Sequence, residues 1–158
     1  MRYICPLITV KDLEVSKNFY VDLLDQTVKY DLGKNVTFEG DFAIHLRSDY
    51  QELLGENPIT EGGNNFELYF ELDDMEALLE KLKEHDVHFV HEMKEQPWRQ
   101  RVLRFYDPDK HIIEVGETMQ HLCSRLKNDG LSQEEVLEIT GLPKEFIEFV
   151  FSLNDEDE

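Results

Sequence analysis

The chain has 158 residues, of which 41% are hydrophobic and 32% are charged, and its formal net charge is −19. This length corresponds to about one domain, with enough apolar residues for a buried core. Its acidity argues against nucleic acid as a partner and against an anionic membrane surface, because both need clustered lysine and arginine. The two cysteines make no disulfide framework, and neither a signal-peptide pattern nor a membrane-length apolar run is present. We therefore expect a cytoplasmic protein.

The first half of the chain has the pattern of one strand, one helix and three further strands. Residues 3–10 have a strand pattern, and Asp12 is a good N-cap for an amphipathic helix over 13–24. The three further strands are predicted over 26–30, 35–39 and 42–47. Residues 48–65 are polar and contain four glycine or proline breakers, so we expect a linker loop with a short helical turn over 50–54.

The second half repeats this order. A strand over 66–72 precedes a helix capped by Asp74, and a strand over 87–93 precedes a hairpin of strands 102–106 and 111–115. The turn over 107–110, Asp-Pro-Asp-Lys, has typical turn chemistry, since proline presets φ and aspartate bonds to nearby backbone. A constant shift aligns Cys5 with Glu67 and Asp12 with Asp74. This indicates an internal repeat, with chance similarity of two βα units as the alternative.

Three segments resemble the vicinal oxygen chelate superfamily: ITVKDLEVSKNFY, FELYFELDDMEALLEKL and PWRQRVLRFYDPDKHIIEVGE. This superfamily includes glyoxalase I, extradiol dioxygenases, and fosfomycin- and bleomycin-resistance proteins. The resemblance implies an α+β domain over 1–117, in which two βαβββ modules (repeats about 3–47 and 66–116) form a cupped mixed sheet. It also implies a homodimer. Asp25, Arg99 and Lys110 stand where the family usually has glycine, so we expect Lys110 in a backbone conformation that glycine adopts more readily.

The resemblance also implies a metal site. Cys5, His45, Glu67 and Glu114 match the family's metal-ligand positions, and strand alternation places them on the polar face of their strands. Their donor atoms suit Zn²⁺ best, with Fe²⁺, Mn²⁺ or Ni²⁺ as alternatives, and Glu114 or Glu67 would be the catalytic proton carrier. The alternative is that no metal is bound: Cys5 is then a small buried hydrophobe, His45 is simply hydrogen-bonded, and the glutamates face an open cavity.

Four residues are candidates for substrate binding: Tyr69, Trp98, Arg101 and Arg47. Arginines beside aromatic rings suit a planar or anionic small molecule. Alternatively, Trp98 covers the edge of the core and the arginines offset the acidic surface. Three functions remain open: a metal-dependent lyase, isomerase or oxygenase of the glyoxalase type, a metal-free small-molecule binding or resistance protein, and an interaction module that uses the C-terminal helices.

Residues 118–158 lie beyond the resemblance, and their sequence pattern predicts a helical extension with an acidic tail. Ser132 and Glu135 form a capping-box pattern, and Pro143 suits the first turn of a further helix. Part of the extension is similar to a short helix-turn-helix repeat of bacterial proteins, but its negative charge makes DNA reading a poor interpretation. We expect its helices to pack on the module, on a dimer partner or over the cavity, and the tail over 154–158 to be frayed and solvated.

Overall fold

The computed structural model describes residues 1–153, so the acidic tail lies outside the described residues. The chain divides into two compact units. Unit 1 comprises Met1–Glu67, His85–His88 and Tyr106–Ile112, and unit 2 contains the other described residues. No helix within residues 1–153 combines the length and the apolar composition needed to cross a membrane.

The first module contains the predicted strands and helix, followed by a second helix. Its elements are β1 Leu7–Val10, α1 Leu13–Asn18, β2 Val28–Asp31, β3 Asn35–Phe38, β4 Ala43–Leu46 and α2 Arg47–Leu54. The sheet order is β1-β4-β3-β2, with β1 parallel to β4. The predicted helix over 13–24 is present, but its second half, Phe19–Leu23, is π-helical. The expected short turn over 50–54 is the end of α2, which has eight residues.

The second module repeats this arrangement. Its elements are β5 Glu67–Glu71, α3 Met75–Glu84, β6 Phe89–Glu95, β7 Arg101–Tyr106 and β8 Ile112–Gly116. Its sheet order, β5-β8-β7-β6, is the order of the first sheet with each number raised by four. The α+β fold of two βαβββ modules is therefore confirmed. The cupped arrangement of the two sheets stays a prediction.

Alternation along the strands explains which side of each sheet is buried. Ile8, Val10 and Ile44 are at most 6% exposed, and Ile113 and Val115 are buried in the same way on β8. Burying these branched and apolar side chains supplies the main stabilisation of the fold. The residues of this parity thus form the buried side of each sheet within the strands. Ile4 and Leu72 have the same parity in the predicted strands over 3–10 and 66–72, but they lie outside β1 and β5 and are exposed.

The loop between β7 and β8 is organised by the buried carboxylate of Asp107. Its Oδ1 accepts the backbone N–H groups of Asp109 and His111, at 2.9 and 2.8 Å. Its Oδ2 accepts the Tyr20 hydroxyl at 2.9 Å and faces Nδ1 of His111 at 2.8 Å. A buried carboxylate is tolerated only when its lone pairs are satisfied in this way. Burial, together with the neighbouring Asp107 carboxylate, holds the pKa of Tyr20 well above its usual value.

Asp109 binds the same loop to the start of α1. Its Oδ1 accepts the backbone N–H of Lys11 at 3.0 Å and a guanidinium N–H of Arg47 at 2.8 Å. Its Oδ2 accepts the Ser16 hydroxyl at 3.3 Å. Asp109 thus connects the hairpin loop, α1 and the first turn of α2 within unit 1.

The extension forms three helices with a core of their own inside unit 2. They are α4 Met119–Asn128, α5 Gln133–Thr140 and α6 Lys144–Leu153. The predicted capping box of Ser132 and Glu135 is present at the start of α5. The buried residues of this core are Leu122, Cys123, Leu126, Val136, Ile147, Val150 and Phe151. Phe149 is 55% exposed, whereas Phe151 is buried.

Three residues that replace glycines of the family have left-handed backbone. Asp25, Arg99 and Lys110 have φ values of 53°, 70° and 69°. The expectation for Lys110 is confirmed. A residue with a Cβ adopts this region at a cost of about 1–2 kcal/mol. Replacing it by glycine removes that cost, but the greater freedom of glycine in the unfolded chain offsets part of the gain in stability.

We predict that Lys110→Gly raises the free energy of unfolding by up to about 1 kcal/mol, because glycine adopts positive φ without the Cβ clash. Chemical denaturation of the wild type and the variant measures the effect. Lys110→Ala is the matched control, since it removes the side chain but keeps Cβ. Equal stability of the glycine and alanine variants would show that backbone strain at this position is negligible.

Candidate functional site

The two units each contain four of the predicted site residues. Unit 1 holds Cys5, His45, Arg47 and Glu67, and unit 2 holds Tyr69, Trp98, Arg101 and Glu114. Each group is therefore described by the contacts within its own unit.

Both ring nitrogens of His45 face hydrogen-bonding partners. Nε2 lies 2.8 Å from Oδ2 of Asp49, in the first turn of α2, and Nδ1 lies 3.3 Å from Nδ2 of Asn35. Asp49 also pairs with Lys34, and these two contacts, that of Lys34 first, lower the pKa of its carboxyl group. A metal ligand needs a nitrogen lone pair, and here the Asn35 amide and the Asp49 carboxylate occupy both nitrogens.

Glu114 is buried in β8, at 5% exposure, and forms an ion pair with Arg104 of β7. The guanidinium Nη1 of Arg104 also lies 3.3 Å from Nε2 of His91 on β6. A buried carboxylate is costly unless a cation or several donors compensate it. Arg104 supplies that compensation from inside the same sheet.

Two of the four predicted metal ligands, His45 and Glu114, are engaged by protein partners within their own units. Among residues 1–153, no group of three or more His, Cys, Asp or Glu side chains is gathered closely enough to hold an ion. His45 and Glu114 already have protein partners, Cys5 is partly buried, and Glu67 is exposed. The metal-ligand assignment therefore stays a prediction, and no chemical step is derived from it.

The two predicted substrate-binding arginines contact carboxylates. Arg101 lies 3.6 Å from Glu76 of α3, which places its side chain on the helix-bearing side of the second sheet. Arg47 donates to Asp109 and to Glu61 in unit 1, and its side chain is only 15% exposed. Their substrate-binding role stays a prediction.

Tyr69 and Trp98 are joined by one side chain that the sequence did not single out, Gln100. The Gln100 amide nitrogen donates to the Tyr69 hydroxyl at 2.9 Å, and its oxygen accepts the Trp98 indole N–H at 2.9 Å. Gln100 is buried, whereas Tyr69 and Trp98 are 46% and 39% exposed. We call these three residues the aromatic platform: two partly exposed rings oriented by one buried amide.

Gly116, at the end of β8, makes room for the aromatic platform. A Cβ at this position would lie 2.6 Å from the Gln100 amide nitrogen and 3.2 Å from the Tyr69 hydroxyl. The glycine is therefore required for close approach. Gly116 lies two residues after Glu114 on β8, so positions 114 and 116 face the same side of the sheet. The contact at Gly116 therefore also places the Tyr69 hydroxyl on the face that carries Glu114.

Glu117 and Arg125 support the platform from behind. The Gln100 amide nitrogen donates its second hydrogen bond to the backbone carbonyl of Glu117, at 2.9 Å. The Glu117 carboxylate is 1% exposed and pairs with Arg125 of α4 at 2.6 Å, which raises the pKa of the guanidinium. Arg125 also donates to the backbone carbonyl of Arg99. The first helix of the extension thus fixes the loop that carries Trp98.

The sequence contained signals for some of the residues that were missed. Arg104 is a charged residue in the middle of an apolar strand, as is the predicted site residue Glu114, and such a pair on adjacent strands suggests mutual compensation. Gly116 is the last residue of a β-branched strand, where glycine often marks close approach. Gln100 had no such signal, because its partners lie up to 31 residues away.

We predict that Gly116→Ala destabilises the protein by about 1–3 kcal/mol and moves Trp98, because the new Cβ overlaps the Gln100 amide. Denaturation and the emission of Trp98, the single tryptophan, measure both effects. In a Gln100→Ala background the 2.6 Å contact is absent and only the 3.2 Å contact with the Tyr69 hydroxyl remains, so Gly116→Ala should cost much less there. Additive costs in the double variant would contradict this packing.

We predict that Tyr69→Phe reduces the loss of stability at high pH. Burial is the main cause that raises the pKa of Tyr69 from 10.0 to about 12, while the Gln100 bond lowers it and Glu71 raises it. The native state keeps a proton that the unfolded state loses, so this contribution is present below about pH 10 and lost as the pH rises through about 12. Unfolding free energies across this range test it. Exposed Tyr3→Phe is the control, and an unchanged pH profile for Tyr69→Phe would contradict the assignment.

Comparison with known proteins places this geometry in a family. The model of the glyoxalase-like domain matches residues 3–120. No match was found among curated proteins. A crystal structure of a protein of unknown function from Agrobacterium tumefaciens str. C58 is 41% identical, with a TM-score of 0.69 over 75% of this chain and 95% of that chain.

Two more distant solved structures share the fold. Lactoylglutathione lyase from Agrobacterium tumefaciens is 19% identical, with a TM-score of 0.57 over 74% of this chain and 94% of that one. The fosfomycin resistance protein FosX from Mesorhizobium loti is 21% identical, with a TM-score of 0.55 over 79% of this chain and 97% of that one. With the family match over most of its length, the chain belongs to the glyoxalase-like family of the vicinal oxygen chelate superfamily.

Proposed function

We propose that this protein binds a planar small molecule on the polar face of its second sheet, at the aromatic platform, without a divalent metal. The observation that carries the proposal is the Gln100 side chain, which orients Tyr69 and Trp98 through hydrogen bonds of 2.9 Å. The fold of fosfomycin resistance protein FosX and of lactoylglutathione lyase is consistent with small-molecule binding.

The aromatic platform suits a flat ligand for two reasons. Partly exposed tyrosine and tryptophan rings offer large apolar faces, on which planar groups stack. Protein contacts alone orient both rings, since Gln100 is buried and its amide makes three hydrogen bonds. Such preorganisation reduces the entropy that binding would otherwise lose.

Arg104 is the reason for proposing metal-independent binding. Its guanidinium compensates the buried Glu114 carboxylate, which the resemblance would otherwise assign to a metal. The pair also provides a cation and an anion on the same sheet face as the Tyr69 hydroxyl, and these would orient the polar group of a ligand. The homodimer and the cytoplasmic location stay predictions.

The experiment uses the fluorescence of Trp98 to report ligand binding, since this fluorescence changes when a ligand stacks nearby. We expect benzoate to quench Trp98 more strongly, and to bind more tightly, than cyclohexanecarboxylate, which has the same charge but no flat ring. Tyr69→Ala should weaken benzoate binding up to about tenfold, because one stacking surface is lost. Tyr3→Ala, an exposed tyrosine in unit 1, is the matched control.

Metal analysis of protein purified without chelators completes the test. We expect the same benzoate affinity before and after chelator treatment. Stoichiometric metal that disappears in Glu114→Gln would overturn the metal-independent proposal in favour of a metal-dependent enzyme. Equal binding of the flat and non-flat acids would overturn the role of the aromatic platform.

A further inference from the structure

Unit 1 contains a pocket of about 430 Å³ whose lining includes Arg47, one of the predicted substrate-binding residues. Its walls come from the end of β1, the start of α2, the segment between α2 and β5, and the β7–β8 loop. The polar side chains along it include Thr9, Arg47, Glu61, Asn65, Lys110 and His111. We call it the Arg47 pocket. Its volume is within the range of pockets that hold small organic molecules.

Arg47 provides the cation of this pocket. Its side chain is 15% exposed, and one guanidinium nitrogen donates to Asp109 at 2.8 Å. Asp109 is fixed in turn by Lys11 N–H and the Ser16 hydroxyl, so it is a permanent structural partner. A largely buried guanidinium with a rigid orientation is well suited to recognise a carboxylate.

Glu61 contacts the other side of Arg47 but is held very differently. Its carboxylate lies 2.5 Å from the Arg47 guanidinium and 3.1 Å from Nζ of Lys11, and its side chain is 51% exposed. It belongs to the segment over 55–66, which has no regular secondary structure and contains Gly62 and Gly63. The contact with Lys11 is the first cause of the lowered pKa of Glu61. An exposed, loop-borne carboxylate thus occupies a site between two cations.

His111 contributes an oriented polar group to the same pocket. Its Nδ1 faces the buried Asp107 carboxylate at 2.8 Å, which fixes the ring and leaves Nε2 as the second ring nitrogen. A histidine held through Nδ1 by a carboxylate presents Nε2 in a defined direction. Arg47 and His111 are therefore two pocket side chains that are each oriented by a buried aspartate of the same loop.

We propose that the Arg47 pocket is a second binding site, for a small molecule that carries a carboxylate, and that the Glu61 carboxylate occupies the ligand's position until the ligand replaces it. The local charge favours this exchange. With Glu61 displaced, the residues that line the pocket carry the cations of Arg47 and Lys110 and the carboxylate of Asp109, and the Lys11 cation that contacted Glu61 loses that partner, in a protein whose overall charge is −19. A displaced Glu61 is also readily hydrated, since it is already half exposed.

The test compares binding of succinate to the wild type and to Glu61→Gln, with succinamide as the uncharged probe of the same shape. Backbone amide shifts of Thr9, Lys11 and His111 locate the binding. Glu61→Gln should bind succinate about tenfold or more tightly than the wild type, because the competing carboxylate is gone and a larger fraction of the protein is open. Glu56→Gln makes the same charge change on the same segment outside the pocket, and should leave the affinity unchanged.

Two loss variants complete the design. Arg47→Gln should abolish succinate binding, and Lys11→Gln, whose side chain is 64% exposed, should weaken it without harming the fold. Equal affinities of Glu61→Gln and Glu56→Gln would overturn the proposal, as would equal binding of succinate and succinamide. Succinate has no flat ring and its readout is confined to unit 1, so this result is independent of the aromatic platform.

Discussion

Two buried carboxylates in one hairpin loop, those of Asp107 and Asp109, are the constraint on which most of this structure depends. Neither can be buried without compensation, and each recruits its partners from a different part of unit 1. Asp107 binds the loop backbone, Tyr20 and His111, and Asp109 binds the start of α1, Ser16 and Arg47. The loop therefore determines both the shape of the hairpin and the orientation of the side chains in the Arg47 pocket.

The loop also sets the register that pairs Arg104 with Glu114. The sequence predicted a four-residue turn over 107–110, which would place Arg104 opposite Ile113. In the structure Asp107 N–H donates to the His111 carbonyl, so the connection has three residues and ends at Lys110 with positive φ. A shift of one residue exchanges the two faces of a strand. Arg104 consequently lies on the face of the sheet that carries Glu114, where the two side chains form an ion pair.

Local signals determined most of the fold, and long-range contacts determined most of the site. Strand alternation, the caps at Asp12 and Ser132, and the repeated element order are all visible within short windows, and they were predicted well. The partner of His45 was not, because residues 48 and 49 were expected to be loop ahead of a short helical turn over 50–54, whereas α2 begins at Arg47 and carries Asp49. Gln100 is the clearest case, since its function depends on a ring distant in sequence and on a glycine that makes room for it.

The C-terminal extension bears on the site as well as on the fold. The family model ends at residue 120, yet the carboxylate of Glu117 is compensated by Arg125, five residues beyond that limit. Without α4, the buried Glu117 carboxylate would lose the guanidinium of Arg125 that compensates its charge. The loop that carries Trp98 would also lose the hydrogen bond from Arg125 to the backbone carbonyl of Arg99. The helices are therefore part of what holds the aromatic platform in place. A glyoxalase-like module that ends at the family boundary needs another way to balance that carboxylate, so the extension and the platform are physically coupled in this chain.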